Sequence, residues 1–189
     1  MENKIRSAIE QHISAARALP DQWPLIGQIA SAVAGALRKG GKVLVCGNGC
    51  SAADSQHIAA ELVGRFKLER RAFAALALTT DTSILTCLAN DYSFDKVFER
   101  QVEAHGRKGD VLIGLSTSGA STNVLKAFKK ARELGLITVG FLGRDGGVIK
   151  PECDLALVIA DADTPRVQEM HILAAHIVCG LAEESLANP

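Results

Sequence analysis

The sequence predicts an α/β fold in which a five-stranded parallel sheet is flanked by helices. Three observations point there. Short apolar runs alternate with helix-length segments from residue 40 onward. Turns rich in glycine and hydroxyl residues follow two of those runs, as they do at the carboxyl ends of parallel strands. A chain of 189 residues with 48% apolar and 22% charged residues is also long enough to bury a full aliphatic core as one domain.

The elements follow in order. Residues 2–19 and 24–38 read as two amphipathic helices broken at Leu19-Pro20-Asp21, and Gly40-Gly41 ends the second. They form an N-terminal helical extension, residues 1–39, ahead of an α/β core at 40–189. Strand 42–46 is continuously apolar (Val43-Leu-Val-Cys46), as a strand covered on both faces must be. Helix 51–64 starts at Ser51, which sits where an N-cap belongs. Strand 74–78, helical segments within 81–105 and strand 111–115 come next. Helix 120–134 ends on Gly135 at its C-cap, and strand 137–141 runs to the turn cluster Gly143-Arg-Asp-Gly-Gly147. Strand 155–159 and helix 165–185 complete the set, with no internal repeat or linker.

Bulk properties exclude several function classes. Lys+Arg and Asp+Glu both number 21, so there is no basic field to attract nucleic acid, and aromatics at 4% supply no base-stacking surface. Neutrality also removes charge repulsion against self-association. No hydrophobic run is expected to span a bilayer, and Met1-Glu-Asn-Lys-Ile lacks a secretory hydrophobic region. The five cysteines (Cys46, Cys50, Cys87, Cys153 and Cys179) are odd in number and show no paired C-x-x-C spacing. A reduced, cytoplasmic protein is the expectation.

Polar residues cluster just past the predicted strands. In Gly47-Asn48-Gly49-Cys50-Ser51 the small residues let the backbone pass close to a ligand, at a helix start whose N–H groups favour anions. His57 and Glu61, four apart, share the face of that helix, although such a pair is often no more than surface decoration. After strand 111–115, Ser116-Thr-Ser-Gly-Ala-Ser121 puts four hydroxyls and a glycine at a helix start. One hydroxyl would serve as an N-cap; four suit the oxygens of a phosphate. Thr79-Thr80-Asp81 and Asn90-Asp91 follow strand 74–78. A dinucleotide fingerprint is disfavoured, since the first acid after Gly49 in a ribose-binding place is Asp81, and neither turn holds the Gly-Lys-Ser/Thr of a P-loop.

Together these segments resemble the sugar isomerase (SIS) domain, and specifically the phosphoheptose isomerases. The matching stretches run in order: Cys46-Gly-Asn-Gly-Cys-Ser, Gln56-His-Ile-Ala-Ala-Glu-Leu-Val-Gly-Arg65, Leu78-Thr-Thr-Asp-Thr-Ser-Ile-Leu, Ala89-Asn-Asp-Tyr92, Gly109-Asp-Val-Leu-Ile-Gly-Leu-Ser-Thr-Ser-Gly119, and Arg166-Val-Gln-Glu-Met-His-Ile172 with His176-Ile-Val-Cys. The resemblance implies Glu61 as catalytic base and His176 as its partner acid/base. It implies one zinc per subunit on His57, Glu61, Gln168 and His176. It implies a sugar phosphate in contact with Asn48, Gly49, Cys50, Glu61, Asn90, Asp91, Ser116, Thr117, Ser118, Ser121 and Gln168. The family usually has glycine where this chain has Cys50, and an acid found in some members is Pro165 here.

The activity so implied is aldose–ketose isomerisation of sedoheptulose 7-phosphate through an enediol, feeding ADP- or GDP-heptose synthesis. A related scaffold, the initiator-associating protein of bacterial replication, keeps both turns but lacks the equivalents of Glu61 and His176; it is the alternative reading. The resemblance also suggests a homotetramer. Gln168 and His176 are eight residues apart, about 12 Å along a helix and about 80° apart around it. A neighbouring subunit supplying part of the site would ease that constraint.

Overall fold

The computed structural model describes residues 1–187. Helices α1 (Glu2–Ala18) and α2 (Trp23–Arg38) precede β1 (Val43–Gly47), α3 (Cys50–Val63), β2 (Ala75–Ala77), α4 (Thr82–Asp91) and α5 (Val97–His105). Then come β3 (Val111–Ser116), α6 (Thr122–Glu133), β4 (Ile137–Gly143), β5 (Leu155–Ile159) and α7 (Thr164–Ala187). The five strands form one sheet in the order β2-β1-β3-β4-β5, and every pair is parallel. Strand order therefore reverses between β1 and β3, and the crevice beyond their carboxyl ends is where such a sheet receives a ligand. Both polar turns picked out in the sequence open there.

Alternation along the strands sorts the core into two layers. Val43 and Val45 face one side with Ile29, Val33, Ile58, Met170 and Val178, so α2, α3 and α7 cover that face. Leu44 and Cys46 face the other, with Val97, Phe98, Val124 and Phe128 of α5 and α6. Phe128 is wholly buried, and truncating such a ring to alanine costs about 3–5 kcal/mol. Crossover helices on both faces explain why β1 and β3 are buried at every position.

Several local expectations shift. The expected extension divides physically: α2 buries Ile26, Ile29, Val33 and Leu37 in the main core, whereas α1 has no buried residue. Ser51 is not an N-cap. That place falls to Gly49, at φ 56°, so α3 begins at Cys50 and Ser51 is buried inside its first turn. The α6 terminus behaves as read: N–H of Leu136 bonds the Ala131 carbonyl and that of Gly135 the Arg132 carbonyl, the paired bonds of a Schellman stop. The β4–β5 crossover contains a single 3-10 turn, Lys150–Glu152, in place of a helix. One helix, α7, does reach spanning length and composition, with a mean hydropathy of 1.2 over its best window. Its apolar residues Met170, Ala174, Val178 and Ala182 are instead core, packed with α2 and the sheet.

Candidate active site

The first turn is held open by its own geometry. Gly49 carries the positive φ that lets the chain leave β1 and enter α3 at once, and no side chain caps the helix. Asn48 is anchored sideways: its amide and that of Asn123 exchange two hydrogen bonds, 2.9 and 2.8 Å. This pair ties the end of β1 to the first turn of α6 across the crevice. Cys50 is exposed at the first position of α3.

In the second turn three serine hydroxyls cluster, and Ser118 Oγ also accepts from Ala120 N at 3.2 Å. Ser116 Oγ lies 2.9 Å from Ser121 Oγ and 3.4 Å from Ser118 Oγ. Ser121 occupies the N-cap position of α6 without a side-chain cap bond, so the helix keeps N–H groups available beyond β3. Gly119 (φ 66°) is pressed against the Gly143–Gly147 turn: a Cβ there would lie 2.4 Å from the Gly146 carbonyl. Its own carbonyl accepts from Ile149 N. The turn is thus fixed by neighbouring backbone and has little room to relax.

The third group sits between α3 and α7. His57 Nε2 is 3.2 Å from Glu61 Oε1 and 2.8 Å from His176 Nε2. The rings of His57 and His176 meet edge to face. Two imidazole nitrogens and a carboxylate oxygen within 4.8 Å of one another make a candidate metal centre. Ligands held at about 2.1 Å from one ion at tetrahedral angles lie about 3.4 Å apart, close to the observed separations, so the donor set fits such an ion. These three donors converge within one chain. A groove of about 230 Å³ between Phe66, Lys67, His176 and Gly180 borders it.

Other expected residues are placed differently. Gln168, diverging from His176 as helix geometry requires, donates from Nε2 to both Asp54 oxygens at 3.1 and 3.3 Å. Burial pushes the Asp54 carboxyl above its ordinary value, against the lowering effects of that bond and of nearby His57. Asn90 and Asp91 are exposed at the end of α4 and bond one another at 2.8 Å. The Asn90 amide and the Cys87 thiol hold the Asp91 carboxyl below its ordinary value. Asp81 is taken up as the N-cap of α4, accepting from Ile84 N.

The profile of the SIS domain family matches residues 8–143. The chain belongs to the SIS domain family. It is 54% identical over 189 residues to a phosphoheptose isomerase of Clostridium acetobutylicum, covering 98% of this chain and 96% of that one. It is 50% identical over 188 residues to a phosphoheptose isomerase of Rhodospirillum rubrum, covering 100% of both. The structure of phosphoheptose isomerase GmhA from Neisseria gonorrhoeae superposes with a TM-score of 0.92 at 42% identity, covering 97% of this chain and 98% of that one.

In this SIS domain, sequence reasoning missed Asp54 and Asn123. Asp54 lies three and seven residues before His57 and Glu61, a helical spacing that shares their face, so periodicity carried a signal for it. Asn123 carried none, since its partner Asn48 is 75 residues away.

Proposed function

We propose that this SIS-domain chain interconverts sedoheptulose 7-phosphate and D-glycero-D-manno-heptose 7-phosphate through an enediol. The observation that carries the reading is the meeting of Glu61 and His176 at His57, beside two turns with free helix N-terminal groups. A scaffold that only binds has no use for that pair. The phosphate rests on Ser116, Thr117, Ser118 and Ser121. Asn48, Gly49, Cys50, Asn90, Asp91 and Gln168 contact the sugar.

Glu61 takes the proton from C1 of the ketose and returns it to C2, and His176 moves the accompanying proton between the oxygens of C1 and C2. Glu61 Oε1 faces His57, which leaves Oε2 to accept the carbon-bound proton. His57, Glu61 and His176 would hold one zinc per subunit, with Gln168 completing the set only by leaving its bonds to Asp54; the bound ion would polarise the sugar oxygens as a Lewis acid. The active form is a cytoplasmic homotetramer whose product feeds nucleotide-activated heptose synthesis.

Proton NMR of purified protein with sedoheptulose 7-phosphate in deuterated water tests the reaction. The expected result is an aldose carrying deuterium at C2; no conversion would overturn the reading. Glu61→Gln should lower turnover about 10²-fold or more while ligand binding persists. Near-normal turnover in that variant would reassign the base.

A further inference from the structure

Glu183 lies two helical turns beyond His176 on α7, on the same face. It is 1% exposed, yet its carboxylate is saturated with donors. Oε1 accepts from Phe66 N at 2.9 Å and Arg70 Nε at 3.0 Å, and Oε2 from Lys67 N at 2.8 Å and Leu68 N at 2.9 Å. Burial alone would push this carboxyl up; the three N–H donors and Arg70 outweigh it and hold it below the ordinary value. Three consecutive N–H groups on one carboxylate define the backbone that follows α3 almost completely.

The partner cation works on α3. Arg70 Nη2 donates to the Glu61 carbonyl at 2.9 Å, and Nη1 to the carbonyls of Leu62 and Gly64, both at 2.9 Å. Glu61 and Leu62 lie in the last turn of the helix that carries His57 and Glu61, and Gly64 is its C-cap. One buried ion pair therefore joins the ends of both helices that supply the donor cluster. A pair of this kind, with side chains 6% and 2% exposed, gives little net stability over apolar packing. What it gives is geometry.

That geometry reaches His176 through Phe66. With its N–H fixed on Glu183, Phe66 stacks its ring on the His176 imidazole, centroids 5.7 Å apart and planes 25° apart. A metal-binding imidazole is normally oriented by a hydrogen bond on its other ring nitrogen. His176 makes no such bond among the described residues. We propose that Phe66, clamped by the Glu183–Arg70 pair, is the positioning residue that aims His176 Nε2 at the metal. This inference rests on the metal-centre reading given above.

The test measures cobalt(II) affinity by chelator competition, together with the visible spectrum of the cobalt-loaded protein. Wild type should bind about one ion, and His57→Ala should lose it. Phe66→Leu should bind at least ten-fold more weakly, the usual scale for an outer partner of a ligand, with an altered spectrum. Its metal-free thermal midpoint should stay near that of wild type, and Phe66→Tyr should restore affinity. Glu183→Gln should weaken binding too, but it also destabilises, so Phe66→Leu decides. Wild-type affinity and spectrum in Phe66→Leu would overturn the positioning role and leave the metal centre standing. A wild-type protein that binds no ion would overturn both.

Discussion

His171 shows what a single buried side chain can impose. It is fully buried on α7 with its ring centroid 5.9 Å from that of Phe141, and neither ring nitrogen has a hydrogen-bond partner. Burial drives its pKa down to about 4, and the nearby Leu142 backbone opposes this only in part. Unfolding returns the imidazole to an ordinary value of about 6.5, so the unfolded chain binds more protons between those two limits. Stability therefore falls as pH drops from about 6.5 toward about 4 and levels off below, by about 3 kcal/mol for the whole shift. Chemical denaturation across that range should show the loss, and His171→Leu should flatten it. A variant with the wild-type slope would place the lability elsewhere. None of this was visible in Arg166-Val-Gln-Glu-Met-His-Ile172, where His171 reads as one more motif residue. Its meaning comes from lying opposite β4, a neighbour that only the folded chain supplies.

At the level of elements, the turns between strands and helices carry much of the candidate site. The apolar runs located all five strands within two residues, most cleanly β1, which is buried at every position and has no polar residue to blur it. The two polar turns stand out in the sequence because their hydroxyls and glycines exceed what a cap or a bend needs. The brace on the second turn was not, since Gly146 and Gly119 are far apart in sequence and meet only when β4 lies beside β3. That brace makes a prediction. Gly119→Ala adds a Cβ that must displace the Gly146 backbone at a residue already in left-handed geometry. The Michaelis constant for the sugar phosphate should rise about ten-fold or more, with a lowered thermal midpoint. Unchanged kinetics would mean that the turn does not hold the phosphate.

Across the whole molecule, one broad apolar groove shares Ile177 and Leu181 with the groove that borders the donor cluster. About 410 Å³ in volume, it lies between α1, α2 and α7 and is lined by Leu19, Pro20, Trp23, Leu173, Ile177 and Leu181. Trp23 is 75% exposed there, and α1 presents Ile5, Ile9 and Ile13 outward at four-residue intervals. Apolar surface of this extent on a neutral chain favours a second copy as its cover. Light scattering should give about four times the chain mass, and Trp23→Glu should reduce it while circular dichroism stays unchanged. A monomeric wild type would sink the assembly. Mixed Glu61→Gln and His176→Ala subunits should not regain activity, because both side chains enter the cluster from the same chain. The angle between Gln168 and His176 is met within the chain by Gln168 bonding Asp54.

The pairing of α2 with α7 bears on how the protein is made. Synthesis runs from the amino end, so the apolar face of α2 leaves the ribosome long before the Met170, Ala174, Val178 and Ala182 surface that covers it. Until then the nascent chain carries an unprotected greasy flank, a target for chaperones. His176 and Glu183 arrive with the same late segment. A growing polypeptide thus acquires its covering layer and its donor cluster in one step, and a prematurely terminated chain lacking α7 would be both aggregation-prone and inert.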